Sequence, residues 1–260
     1  FCPLHGNLGP FFIASNDGHI QAAHVAPDSV FQDIGEQYVV NPDHVTRGRF
    51  LGKGAFGAVY AGIMLHREKI EKVPVAIKML QPVKPGPEAS QTHINNYLIE
   101  KHRWDKDPMK NSCEAYLNAR KELSILLTLR HPHIVPLLGL SLHPLSLILS
   151  LAPQGALNDK VTEYHRAGAR LTPGVLRLII IQVASALQYL HQHQIIYRDL
   201  KSENVLVWSL PPPHSVNPSH PVDVKLADYG VSRSVLPSGA KGLAGTPPFI
   251  APEIIQHNGE

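Results

Sequence analysis

Tyr197-Arg198-Asp199-Leu200-Lys201-Ser202-Glu203-Asn204, followed by Asp228-Tyr229-Gly230, is the stretch that decides how this chain is read. An Asp, an Asn five residues later and a second Asp beyond a hairpin-like stretch can hold a phosphoryl donor, its metal ions and an attacking hydroxyl around one point. Either string alone is a modest signal, because short acidic motifs arise by chance. Here both stand in order, downstream of Gly52-Lys53-Gly54-Ala55-Phe56-Gly57-Ala58-Val59 and of Val75-Ala76-Ile77-Lys78.

The glycine string matches G-x-G-x-x-G-x-V. Glycines let a strand turn come within contact distance of phosphates, so that backbone N–H groups face them. By itself the string fits a plain Gly-rich hairpin equally well. It is not a dinucleotide fingerprint, because a strand and not a helix follows the glycines. No G-x-x-x-x-G-K-[ST] occurs, which argues against a GTPase P-loop in this segment. Lys78 lies on an otherwise apolar strand, so it must either reach solvent or find an anion. The expected anions are phosphates and a helix carboxylate, with Glu122 and Glu114 as candidates.

Bulk properties set the frame. At 260 residues the chain can form a two-lobed catalytic domain with a substantial buried core. It starts at Phe1 and stops at Glu260, soon after Glu253, so both ends read as cut from a longer protein. The formal charge of +3 and the lack of a Lys/Arg run give no support to nucleic acid or a membrane surface as partners. Cys2 and Cys113 are the only cysteines, so there is no disulfide framework and a reducing, cytoplasmic setting is expected. Cys2-Pro3-Leu4-His5 has a metal-like spacing without a matching second pair and reads as linker. Leu176 to Leu190, the most apolar stretch, contains Arg177, Gln182 and Gln188 and reads as a buried helix, not a membrane span. No signal peptide is visible.

Residues 1 to about 42 mix Gly, Pro and His with short apolar runs, and short strands or a linker fit them equally. Val45 to Leu80 reads as a hairpin around the glycines and then a third strand. Gln81 to Ser90, with three prolines and a glycine, is a loop. The polar stretch Gln91 to Ser112 reads as an exposed insertion. Tyr116 to Leu129 is a helix with Leu123, Ile125, Leu126 and Leu127 on its apolar side and Arg120, Lys121 and Glu122 on the other. Ile134 to Leu140 and Leu145 to Leu151 are two more strands. Thr172-Pro173 is a cap and first-turn signal for a helix striped by Leu176, Ile180, Val183, Leu187 and Leu190. Val205-Leu206-Val207 and Val224-Lys225-Leu226 pair across a Pro-rich hairpin insertion. The fold class is α+β, with a small β-rich part followed by a mainly helical one.

Together these strings resemble a protein kinase. The resemblance implies ATP and Mg2+ as cofactors and a protein substrate. Asp199 would accept or orient the proton of the attacking hydroxyl, Lys201 would reach the γ-phosphate, and Asn204 and Asp228 would give oxygens to magnesium. Glu122, nine residues before His131-Pro132, has the offset of kinase helix C and is the expected partner of Lys78. Gly52, Gly54 and Gly57 would cover the phosphates. Val59, Ala76 and Leu206 would sandwich the adenine, and Leu149 would be the gatekeeper before a Ser150-Leu151-Ala152 hinge. Leu126, Leu137, Tyr197 and Tyr229 would form an apolar stack. Asp199-Leu200-Lys201 with Gly245-Thr246-Pro247 before Ala251-Pro252-Glu253 resembles serine/threonine rather than tyrosine kinases.

Two departures narrow the likeness: Tyr197 stands in the place of a common His, and Tyr229 in the place of Phe in D-F-G. Tyr-Arg-Asp, Asp-Tyr-Gly and Gly-Thr-Pro-x-Phe-x-Ala-Pro-Glu together resemble the leucine-rich repeat kinases of the Roco family. That implies residues 1–42 as a linker or tail of a preceding COR-like domain, 43–152 as kinase N-lobe and hinge, and 153–260 as a partial C-lobe through the activation segment. A GTPase domain and repeats would lie upstream, a homodimer of the full-length protein is compatible, and the C-lobe would be incomplete and aggregation-prone alone. The alternative is a pseudokinase or scaffold module that binds nucleotide without efficient catalysis.

Overall fold

The computed structural model describes residues 30–54, 57–65, 71–86, 89–215, 217, 219–235 and 244–256. Most of the expected linker, the Cys2 to His5 pattern and the hairpin tip Ala55-Phe56 lie outside the described residues. The chain divides into two compact units. One runs to Leu123 and takes in Leu138–Leu149; the other holds Ser124–Leu137 and everything from Ser150.

The first unit is built on strands β1 (Val45–Gly54), β2 (Gly57–Leu65) and β3 (Lys72–Met79), paired antiparallel in chain order. With β4 (Leu137–Leu142) and β5 (Leu145–Ser150) they make one sheet of order β1-β2-β3-β5-β4. β3 sits in the middle of that sheet, which is why Val75 to Leu80 is an unbroken buried run instead of an alternating one. Tyr60, Met64, Val75, Ile77, Met79 and Ile148 close into a core with Val40. β4 starts later than the expected Ile134. Pro136 cannot donate to a ladder, and Ile134 forms its bridge with Leu226 instead, beside a Val135 N–H to Leu226 O bond of 2.9 Å.

Two helices stand where one was expected. The stretch expected as an exposed insertion forms α1 (Gln91–Lys106), capped by the Ser90 side chain, which accepts from His93 N–H at 3.3 Å. His93, Tyr97 and Trp104 recur at helical spacing on one side, and His93 is buried. Its ring stacks on Phe50 of β1 at 4.0 Å, and its Nε2 lies 3.1 Å from the Tyr60 hydroxyl. Lys53 of β1 pairs with Glu100 of α1 at 2.6 Å. The next helix, α2 (Pro108–Leu126), begins eight residues before the expected Tyr116. Asp107 accepts from Lys110 N–H at 3.1 Å, so Asp107-Pro108 is the same cap and first-turn signal that Thr172-Pro173 gives. Leu123, Ile125 and Leu126 are buried as expected, but so is Glu122, which does not share the solvent side with Lys121.

The second unit holds α3 (Leu157–Arg166), α4 (Pro173–Gln192), the short pair β6 (Ile195–Ile196) and β9 (Arg233–Ser234), the hairpin β7 (Val205–Ser209) and β8 (Asp223–Leu226), and α5 (Pro252–Gln256). Thr172 caps α4 through Val175 N–H, as expected. The apolar stripe is the expected one only in part: Leu190 is buried, and Val183 and Leu187 are half-buried. Ile179, Ala186 and Leu190 are buried, while Leu176 and Ile180 are exposed, as are Leu178 and Ile181. The polar residue Gln182 sets the rotation: its amide donates to Val222 O at 2.7 Å and accepts from Val224 N–H at 2.8 Å. α4 is therefore long and apolar enough to cross a membrane by composition, yet is buried along a narrow stripe only.

Gln182→Ala is expected to cost about 1–3 kcal/mol, since Val222 O and Val224 N–H, at the start of β8, both lose a partner beneath the helix. Denaturant titration checks this. An unchanged midpoint would mean that water satisfies both groups.

Candidate functional site

In the first unit the strand register assembles the expected residues. Gly52 pairs with Val59, Val59 with Lys78, and Ala61 with Ala76. Directly opposed residues share a face, and so do residues two apart on one strand, so Gly52, Val59, Ala76 and Lys78 line up on one side of the sheet. Gly57 is held at φ 155°, where a Cβ would come 1.7 Å from the Met79 carbonyl oxygen. No other residue fits that approach. Gly54 ends β1 opposite it.

Lys78 Nζ sits 2.8 and 2.7 Å from the two carboxylate oxygens of Glu122, and both residues are almost wholly buried. Glu114 is exposed, so the choice of Glu122 stands. A buried ion pair contributes little to stability against an apolar replacement, because desolvation offsets the Coulomb gain. Its value is placement. The pair holds an ammonium at a fixed point beside the glycine hairpin in a site that would otherwise exclude charge.

In the second unit, Asp199 is the centre of a connected set. Its Oδ1 accepts from Thr246 N–H at 3.0 Å and from the Thr246 hydroxyl at 2.6 Å. Its Oδ2 lies 2.9 Å from Lys201 Nζ and accepts from Asn204 Nδ2 at 2.8 Å. Lys201 also donates to Thr246 Oγ1 at 2.6 Å. Burial pushes the Asp199 carboxyl up, but the bonds from Thr246, Lys201 and Asn204 outweigh it and hold the group below its ordinary value. Gly245, at φ 116°, lets this segment approach: a Cβ there would stand 2.6 Å from Arg198 O. In the sequence Thr246 stands only as part of the Gly-Thr-Pro string that marks the serine/threonine class. Its contact with Asp199 and Lys201 was not anticipated, and the Gly-Thr-Pro string was the available signal.

Asp228 is joined to this set through the backbone. Ala227 N–H donates to Asn204 O at 2.9 Å, and the Tyr197 hydroxyl donates to Ala227 O. Asp228 takes φ 57° and its Oδ1 accepts from Gly230 N–H at 3.3 Å. Asn204 spends its amide nitrogen on Asp199, which leaves the oxygen as its ligand-type atom. Leu206 lies on β7, whose Val207 exchanges bonds with Gln154 and Gly155, just past Leu151 and Ala152. Leu149 ends the first unit's share of β5. Leu126, Leu137, Tyr197 and Tyr229 are all buried.

The Tyr197 and Tyr229 rings meet edge to face at 5.5 Å, and burial drives the Tyr197 phenol well above its ordinary value. The Tyr229 hydroxyl donates to Leu226 O at 3.2 Å, three residues back. Tyr229→Phe is expected to change turnover severalfold, upward, with little effect on the melt, because one bond worth about 0.5–1.5 kcal/mol then ceases to hold this turn. Steady-state kinetics beside thermal melts decide it. Unchanged turnover would make Tyr229 a packing residue only.

Sequence comparison agrees with this geometry. The chain is 46% identical over all 260 residues to leucine-rich repeat serine/threonine-protein kinase 1 of Caenorhabditis elegans, covering 10% of that protein. Against the mouse protein of the same name it is 38% identical over 206 residues, 78% of this chain and 9% of the relative. The mouse receptor tyrosine-protein kinase erbB-4 is 30% identical over 211 residues, 80% of this chain and 13% of the relative. The chain thus spans about a tenth of the length of the curated relatives it matches. The family profile described as protein kinase domain matches residues 45–260, the span that carries the glycine hairpin, the Lys78–Glu122 pair and the Asp199 set. On that match and this geometry, the chain belongs to the protein kinase domain family.

Proposed function

We propose that this chain is the catalytic part of a serine/threonine protein kinase that moves the γ-phosphoryl group of ATP to a protein hydroxyl, within a larger multidomain signalling protein. The observation that carries the reading is the Asp199 set: a carboxylate held ionised, with Lys201 and Thr246 bonded to it at 2.6–2.9 Å. A substrate hydroxyl oxygen attacks the γ-phosphorus as the bond to the β-bridging oxygen breaks, and its proton passes to Asp199. Lys201 offsets charge on the transferring group, and Lys78 holds the remaining phosphates.

Asn204 and Asp228 are hard oxygen donors, and among the described residues no group of three His, Cys, Asp or Glu surrounds a point. Asn204 and Asp228 would hold magnesium, a hard cation that commonly takes its other ligands from phosphate and water. When bound, magnesium would draw charge off the phosphate oxygens. The greater length of the relatives and the leucine-rich repeats in two of their printed names support a longer, repeat-bearing protein; upstream GTPase and COR-like domains, a cytoplasmic place and a homodimer rest on the Roco resemblance and belong to the same proposal.

The test uses the intact protein with γ-labelled ATP and peptides that differ only in a Ser, Thr or Tyr acceptor. Transfer to Ser and Thr over Tyr is expected. Nucleotide binding without transfer to any acceptor would put the scaffold reading in its place.

A further inference from the structure

Residues just before β1 run as a strap between the sheet and α2. At one end, Val39 bridges to Leu140 of β4 and Val40 N–H donates to Leu140 O at 2.8 Å. Gly139 makes room for it: a Cβ there would fall 2.3 Å from Val40 Cγ2. At the other end, Phe31 is 3% exposed and its ring lies 6.1 Å from that of Tyr116 on α2. Ile34 is buried beside it in the chain. Asp33 and Arg120 of α2 form a two-point ion pair, with Arg120 Nη1 at 2.6 Å from Oδ1 and Nη2 on Oδ2. The guanidinium holds the Asp33 carboxyl below its ordinary value.

Tyr116 and Arg120 are one turn apart and share a face of α2. Glu122, two residues on, points about 200° round the axis from Arg120. The helix is thus gripped from two sides, by Lys78 through Glu122 and by the strap through Tyr116 and Arg120. A helix held on one side only can roll; held on both, it cannot roll without breaking a bond. We infer that Asp33 and Phe31 are positioning residues for phosphoryl transfer, fixing the rotation of α2 so that Glu122 stays on Lys78.

This rests on the kinase reading, and the test separates the two. In the intact protein, Asp33→Arg, Arg120→Asp and the double swap are compared with wild type for kcat, KM for ATP, thermal melt and hydrogen exchange of amides 114–123. Asp33 is 65% exposed, so the single variants are expected to fold and melt like wild type. Each single variant is expected to lower kcat about threefold or more and to speed exchange along α2, and the swap to restore both. Unchanged kcat in the single variants beside an active wild type overturns the inference. So does faster exchange at unchanged kcat, which would make the strap merely structural, or a swap as impaired as the singles. An inactive wild type would sink the kinase reading alone, and unchanged exchange would then still decide against the strap.

Discussion

Asp228→Ala in the intact protein is expected to abolish ATP-dependent phosphoryl transfer. Asp228 offers the one carboxylate of the proposed metal pair, the other donor, Asn204, being an amide. On the proposed reading its loss would remove a charged ligand near the transferring phosphate, where metal-based charge stabilisation is worth several kcal/mol, or about three or more decades in rate. The backbone there sits at φ 57°, a region that Asn and Asp tolerate and Ala resists. Asp228→Asn is therefore the cleaner partner: it keeps the turn and the bond to Gly230 while removing only the charge. Initial rates of both variants, with melts as control, make the measurement. Turnover retained in Asp228→Asn would sink the metal role.

Asp199→Asn is expected to leave nucleotide binding nearly intact and to cut turnover by about 10²–10⁴-fold, the usual worth of positioned proton transfer. An amide in this place also conflicts with its neighbours. Both carboxylate oxygens now accept, Oδ1 from Thr246 and Oδ2 from Asn204 and Lys201, and an amide nitrogen would have to face one set of donors. A lower melting temperature should accompany the lost rate. The wild-type carboxyl is depressed, so its bonds stabilise the fold fully above the ordinary Asp range near pH 4 and are lost only as pH falls through the lower folded value. Asp199 should then contribute no acidic limb to the rate between about pH 5 and 8. A rate that falls with a midpoint near 6 would need another group as its source.

Most of the candidate site's arrangement was legible because it is carried by short strings whose geometry is local. Asp199 to Asn204 is one loop, and Val59, Ala76 and Lys78 follow from strand pairing once the hairpin is placed. What failed was rotation and extent. The face of α4 could not be read from its leucines, because the helix is apolar nearly all round and Gln182, a polar residue, decides which side is inward. α1 was missed because its mean polarity resembles a loop; the Ser90 cap and the spacing of His93, Tyr97 and Trp104 held the signal. Thr246 and the strap depend on residues distant in the chain, and no local pattern announces the Asp33–Arg120 pair.

The brace that α1 places on β1 changes the mechanics of the glycine hairpin. A glycine turn held only by its two strands is compliant, and gripping a phosphate would freeze motion that the free loop enjoys. Here Phe50 rests on His93 and Lys53 pairs with Glu100, so the base of the hairpin is joined to α1 at two points, which should restrict it before any ligand arrives. Less motion remains to be lost on binding, and the entropic penalty of closing on a phosphate shrinks accordingly. What α1 offers the described base of the hairpin is a fixed anchorage from a neighbouring helix.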